Sequence, residues 1–337
     1  MSNDLTPASS ALSRRSALKL GSAAAGGVLL AGLASSGDAS LAAAPASRTA
    51  GEKPNQLPVK DIEAIIGAQG MLSNGVLNIE IDREDVQNVR NSAGYPIKPA
   101  FQVNGNLVFQ SSGDHDRDGD DPHGTAILNG DLPFLPHELQ PAIDAMLRHG
   151  IVFQAMHQHF YDWNPMIWFM HFRGEGDPRT LARGVAAILK TTSIPLPQTS
   201  PSNPKTPLDT KRLAKLIGAS PTVGADGVVT FDLPRKNAIY LGGARINPYL
   251  NVATTVAFEP LHGITAVAVD FGMVAGETQA VTAVMRARDW QVGCLYNQET
   301  AEAPQLFWAH QFKAGDAYRL AGEVRRGLDQ MNLSFMS

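Results

Sequence analysis

Residues 150–182 read GIVFQAMHQHFYDWNPMIWFMHFRGEGDPRTLA, and residues 289–321 read DWQVGCLYNQETAEAPQLFWAHQFKAGDAYRLA. Set one under the other, Pro165 falls on Pro304, His171 on His310, Gly176-Asp177 on Gly315-Asp316 and Leu181-Ala182 on Leu320-Ala321. The same offset of 139 holds from Gly130 to Leu189, where it also pairs Glu138 with Glu277 and Met146 with Met285. Upstream it pairs His123-Gly124 with His262-Gly263. It then widens to 149 (Pro99 with Pro248, Phe109 with Phe258) and to 152 (Gly75-Val76 with Gly227-Val228, Arg83 with Arg235). Internal self-similarity of this kind outranks local propensity as a guide to architecture. It divides the chain into a first repeat over 58–191, a Pro-rich linker over 192–208 and a second repeat over 209–329.

Within a repeat the pattern is helix, strands, helix, β-hairpin, helix, an α+β unit that resembles the ferredoxin-like arrangement. Pro136 to His149 carries Leu139, Ile143, Met146 and Leu147 at helical spacing. Ile151–His159 and Met166–Phe172 are apolar runs on either side of a turn, Tyr161 to Pro165, and predict a hairpin. Asp177 is placed to cap the helix that follows. Val76–Ile81, Ala100–Gln110 and Thr125–Leu128 read as strands. Two copies of one unit are expected to form a pseudo-two-fold pair.

Ahead of the repeats, Ser13-Arg14-Arg15-Ser16 precedes a 14-residue apolar stretch, Leu20 to Leu33, that contains four glycines. A stable membrane span needs about 20 apolar residues, so residues 1–44 read as a Tat-type signal peptide with its cleavage region. Pro45 disfavours a cut directly after Ala44, which leaves sites between Ala34 and Ala50 open. The expected location is extracytoplasmic, periplasmic or secreted, without a stable membrane anchor.

The 337 residues carry 28 Lys+Arg against 32 Asp+Glu, a net charge of −4, which argues against a nucleic-acid partner. With 44 % hydrophobic residues there is ample material for a core. There is no G-x-S-x-G elbow, Walker loop, G-x-G-x-x-G or H-E-x-x-H. The one cysteine, Cys294, falls in the apolar run Val292–Leu295 and reads as a buried, inert thiol.

The nine histidines are concentrated in the first repeat. On a strand, His157 and His159 point to one side, so their imidazoles converge as ligands for zinc, copper or iron. His171 on the partner strand joins them only if opposed residue numbers in the hairpin sum to an even value. Glu138, or His137 beside it, is the candidate fourth ligand, and Glu138 or Asp162 the candidate base for a metal-bound water. Against this, His310 persists in the second repeat where His157 and His159 have become Tyr296 and Gln298. That persistence reads as a structural role for the His171/His310 position. A copper site using the Met156 thioether competes with simple core packing of Met166 to Met170. Asp114, Asp116 and Asp118 resemble the start of a calcium loop, but Pro122 intervenes and Thr125 stands where the bidentate Glu would be. A solvated acidic loop is the alternative.

The run from Gly130-Asp131 through Glu138, Met156-His157-Gln158-His159, Pro165, Phe169-Met170-His171-Phe172 and Gly176-Asp177 to Leu181-Ala182 resembles the LppY/LpqO family. That family is one of exported proteins of unknown function with a duplicated domain. This chain departs from it in lacking a lipoprotein cysteine and in carrying the acidic insertion 114–121. The resemblance implies an exported, two-copy protein and supplies no reaction. Two functions remain open from sequence: a protein binding one transition metal at the His-x-His hairpin, or a non-catalytic envelope module holding a small ligand or envelope component, with no metal.

Overall fold

The computed structural model describes residues 57–112, 124–199 and 204–336. The signal-like segment and the acidic loop with Asp114, Asp116 and Asp118 lie outside the described residues.

The first repeat runs α1 (Val59–Ile66), β1 (Met71–Ser73), β2 (Val76–Asp82), α2 (Pro99–Gln102), β3 (Asn104–Ser111), β4 (Ala126–Phe134), α3 (Leu139–Arg148), β5 (Val152–His157), β6 (Trp168–Gly176) and α4 (Pro178–Leu189). The second runs α5 (Thr210–Ile217), β7 (Thr222–Val223), β8 (Val229–Leu233), β9 (Ile239–Leu241), β10 (Ala244–Ile246), β11 (Thr254–Pro260), β12 (Thr265–Val274), α6 (Thr278–Arg286), β13 (Gln291–Val292), β14 (Glu302–Ala303), β15 (Leu306–Gly315) and α7 (Ala317–Leu328).

Each repeat builds one six-stranded antiparallel sheet. The orders β1-β2-β3-β4-β6-β5 and β7-β8-β11-β12-β15-β13 correspond strand for strand, and β10-β9-β14 form a small third sheet. The ferredoxin comparison holds in part. β4-α3-β5-β6 is a split β-α-β, with β6 seated between β4 and β5. The strand on the far side of β4, however, is β3, which comes from upstream rather than after the last helix.

Local sequence explains the element ends. α1 and α5 stop at Gly67 and Gly218, both left-handed at φ 82° and 83°. α4 and α7 begin at Asp177 and Asp316, whose carboxylates accept from the amides of Thr180 and Arg319. The expected strand Ala100–Gln110 instead opens with the one-turn helix α2, because Pro99 at its first position presets the helical φ. Helix α3 begins at Leu139, three residues after the expected start Pro136 and at the first residue of its apolar spacing, with Glu138 as the cap residue.

Strand alternation sends each sheet's residues to two different cores. Leu128, Leu132, Met170 and Phe172 pack beneath α1, α3 and α4, together with Ile62, Met146 and Val185. Val267, Val269 and Phe271 do the same beneath α5, α6 and α7. The opposite faces meet each other. Val108 and Ile127 pack with Ile246, Leu250 and Trp308 at one end, and Phe101 and Phe169 pack with Ala266, Ala268 and Phe312 at the other. The result is four layers, helix–sheet–sheet–helix, with the two repeats face to face.

Candidate metal centre

Between those two apolar clusters the seam is polar, and the hairpin register decides which side chains reach it. β5 opposes β6 with His157 across from Phe169 and Ala155 across from His171. Both pairs sum to 326, so His157 and His171 share the inward face. A shift between Phe153 and Ala155 restores this register near the turn. From the facing sheet, β15 brings in His310, which lies across from Asp270 on β12. In the first repeat, Asp131 on β4 lies across from His171 in the matching way.

The imidazoles gather at the centre of the seam. Ring centroids of His159 and His310 are 3.8 Å apart, those of His157 and His310 5.3 Å, and those of His157 and His171 5.0 Å. One ligand atom each from His157, His159 and His310 falls within 4.8 Å of the other two. Tyr296, the second-repeat counterpart of His157, stacks on His157 at 3.8 Å and places its hydroxyl 3.3 Å from His171 Nε2. These distances are those of a pseudo-two-fold pair. His157 approaches His310 much as Tyr296 approaches His171, at 5.3 and 5.7 Å.

The site is closed and largely uncharged. His157 and His159 are each 6 % exposed, and neither ring nitrogen of either makes a well-formed hydrogen bond, the Gln102 backbone being the least of the influences on the His159 ring. A buried polar atom with no partner costs about 1–3 kcal/mol, so two orphaned imidazoles need an explanation. Burial, reinforced by the neighbouring histidines, holds His157, His159 and His171 well below the ordinary imidazole range, and burial pushes His310 down to about 3. All four rings are therefore neutral, the form that binds metals. Burial also raises Asp270 to about 7, and burial with the nearby Asp270 and Glu299 charges lifts Asp131. These carboxylates stand 3.5 Å from His310 Nε2 and 3.7 Å from His171 Nε2.

The donor set fits a transition ion: three neutral imidazoles, two of them orphaned. His159 lies in a stack with Phe169 at 3.4 Å and His310 at 3.8 Å, so seating an ion between the two histidines requires this stack to open as the rings turn about Cβ–Cγ.

The other candidates lie elsewhere. Glu138 is 1 % exposed and is held by Arg83 at 2.7 and 3.1 Å, with the amides of Leu135 and Ser193 also donating to it. Its carboxylate is spent on α3 and on the strand end, so it is not part of the centre. His137 is exposed. Asp162 accepts from Ser92 and Gln291, and despite the opposing effect of burial these bonds hold it below the usual carboxylate range, unsuited to a base. Met156 and Met166 are 41 % and 47 % exposed, so they neither fill the core nor face the cluster. Cys294 lies beyond the end of β13, is half-buried and sits 3.1 Å from His310 Nδ1. His310, Tyr296 and the two aspartates were hidden from a one-repeat reading. The signal for them was the 139-residue offset itself, once the two repeats are understood to face each other.

A search of curated proteins returned no match. Two solved structures align weakly. EtuB from Clostridium kluyveri aligns at 11 % identity over 72 % of this chain and 97 % of its own, with a TM-score of 0.19. Crystal form I of TP0453 aligns at 11 % identity over 83 % and 99 %, also with a TM-score of 0.19. Similarity at that level carries no argument about fold or site. A family model described as Domain of Unknown Function (DUF1259) matches residues 60–191 and again residues 211–330. With two successive matches over most of its length, the chain belongs to the DUF1259 family of unknown function.

Proposed function

We propose that this protein is an exported, LppY/LpqO-like metal-binding protein whose two repeats close on one divalent transition ion, zinc, copper or iron, through His157, His159 and His310. The observation that carries this reading is the pair of buried imidazoles, His157 and His159, with no well-formed hydrogen bond at any of their four ring nitrogens. An ion in that cage supplies Lewis acidity. His171, paired with Asp131 and touched by Tyr296, lines the same cluster without joining the ligand triad. Export rests on the twin-arginine segment Arg14-Arg15. Among the described residues, no helix is long and apolar enough to cross a membrane.

A second reading, a ligand-binding envelope module without metal, draws on a cavity of about 700 Å³ at one end of the seam. It is lined by Tyr95 and Lys98 of the first repeat and Pro260, Leu261 and His262 of the second.

One experiment separates the two. Untagged protein is recovered from the extracytoplasmic fraction and analysed for metals beside His159→Ala and His310→Ala. The expected result is near one equivalent of one transition metal in the wild type and a loss of tenfold or more in both variants. Folded wild-type protein that carries no metal and takes none up overturns the metal reading and favours the ligand module. Retention of the protein in the cytoplasm overturns the export assignment.

A further inference from the structure

We propose that Cys294 is the fourth ligand of this centre, which makes it a three-imidazole, one-thiolate site for zinc or copper rather than an all-nitrogen or carboxylate site. The inference rests on the metal reading above and deepens it.

The backbone around Cys294 is built to bring the thiol to the cluster. β13 ends at Val292, and the next residue, Gly293, donates its amide to the carbonyl of His310 at 2.8 Å. The other side of Gly293 presses on His159: a Cβ there would sit 2.0 Å from the His159 carbonyl oxygen. Only glycine allows that approach. The residue before the cysteine is thus wedged between two of the three ligand histidines, one from each repeat. Sγ then lies 3.1 Å from His310 Nδ1. The thiol is half-buried and burial pushes it up to about 12, as expected of an inert cysteine in the absence of an ion, yet its hydrogen-bond contact is a ligand imidazole.

The spacing suits replacement of that hydrogen bond by a metal bridge. With Zn–N of about 2.0–2.1 Å and Zn–S of about 2.3 Å in tetrahedral geometry, nitrogen and sulfur across an ion are roughly 3.5 Å apart. The pair need separate by only a few tenths of an ångström. Cys294 contacts His310 but stands outside the three ligand atoms, one each from His157, His159 and His310, that already lie within 4.8 Å of one another. It completes the site by turning its side chain toward the ion as the orphaned rings of His157 and His159 rotate onto it. The balance is simple. The ion enters, one S–metal bond forms, and the thiol proton leaves to solvent, so one proton is released per ion bound. Thiolate with imidazole selects zinc or copper over the harder ions that favour oxygen.

The test uses the full chain, stripped of metal and titrated with cobalt(II), beside Cys294→Ser and Cys294→Ala. Wild-type protein is expected to develop an intense near-ultraviolet thiolate-to-cobalt band that saturates at one equivalent. Both variants are expected to lack that band, keep the weaker visible bands of imidazole-bound cobalt, and bind at least tenfold more weakly. Wild-type protein that binds one cobalt through its histidines without the thiolate band overturns the role of Cys294 and leaves the three-histidine site standing. Folded protein that takes up no cobalt overturns both. The wild-type spectrum decides between these even if a variant folds poorly.

Discussion

At the scale of single residues, the two repeats repeat their contacts with changed chemistry, and Glu259 shows what one change does. It occupies the position of Gln110, 149 residues earlier. Gln110 accepts from the amide of Asn247 at 2.7 Å, and Asn247 is in turn the counterpart of Lys98, which faces Glu259 with its ammonium at 3.7 Å. Glu259 is fully buried, and burial raises it to about 7 even though Lys98 pulls the other way. A carboxyl raised in the folded state contributes fully below its unfolded value of about 4.5 and loses that contribution as pH climbs to about 7. Glu259→Gln, which copies the first repeat, is therefore expected to stabilise the protein by about 2–3 kcal/mol at pH 8 and to change little at pH 4.5. Urea unfolding of both proteins at the two pH values measures this; an equal effect at both would contradict it. Residue-scale reading of the sequence found His157 and His159 by taking both as strand residues on one face, but β5 ends at His157 and His159 reaches the cluster from just beyond the strand end. It passed over His310, whose survival without its own repeat's partners reads as structural until the partners are sought in the other repeat.

Elements are fixed to one another by a device that both repeats keep. Arg83 reaches from the end of β2 to Glu138 at the start of α3 and to the carbonyl of Pro133; Arg235 makes the same bonds to Glu277 and Gly272. The first pair is buried on both sides, each at 1 % exposure, while Glu277 keeps 12 %. Removing one member of a buried pair strands the other, at a cost of about 3–5 kcal/mol. Arg83→Ala is expected to cost that much, and Arg235→Ala less, because Glu277 can be solvated. Thermal or denaturant unfolding ranks the two, and equal losses would argue against burial as the cause. Glu138→Gln, milder in shape, is expected to keep the wild-type metal content, which separates this clamp from a ligand role. The helix start at Asp177, and with it the paired start at Asp316, was legible because a cap is local chemistry. Helix α2 was not, since Ala100-Phe101-Gln102-Val103 alternates as well as any strand and only the Pro99 φ tips it toward a turn of helix.

For the whole molecule, the duplication was legible as an offset, but the way the copies meet was not. A strand such as β4, with Leu128 and Leu132 inward to the helices and Asn129 and Asp131 on the other side, has the alternation of a sheet with one wet face. Here that second face is dry because the other repeat covers it: Asn129 is fully buried and donates to Leu250 O and to Glu299, both across the seam. The candidate centre is divided in the same way, with His157 and His159 from one repeat and His310 and Cys294 from the other. Neither repeat should then be sufficient by itself. Expressed alone, residues 57–199 expose Val108, Ile127, Phe101 and Phe169, and residues 204–336 expose Ala268, Trp308 and Phe312. Each is expected to aggregate or self-associate on size exclusion and to lack the wild-type affinity for metal. Co-expressed, the two are expected to co-elute as one complex and recover about one equivalent of metal. A monomeric, soluble single repeat that binds metal as tightly as the full chain would contradict this. It would place the whole site within one copy, leaving the face-to-face packing as mere burial, whereas a site restored only by both halves makes the seam the reason the domain is present twice.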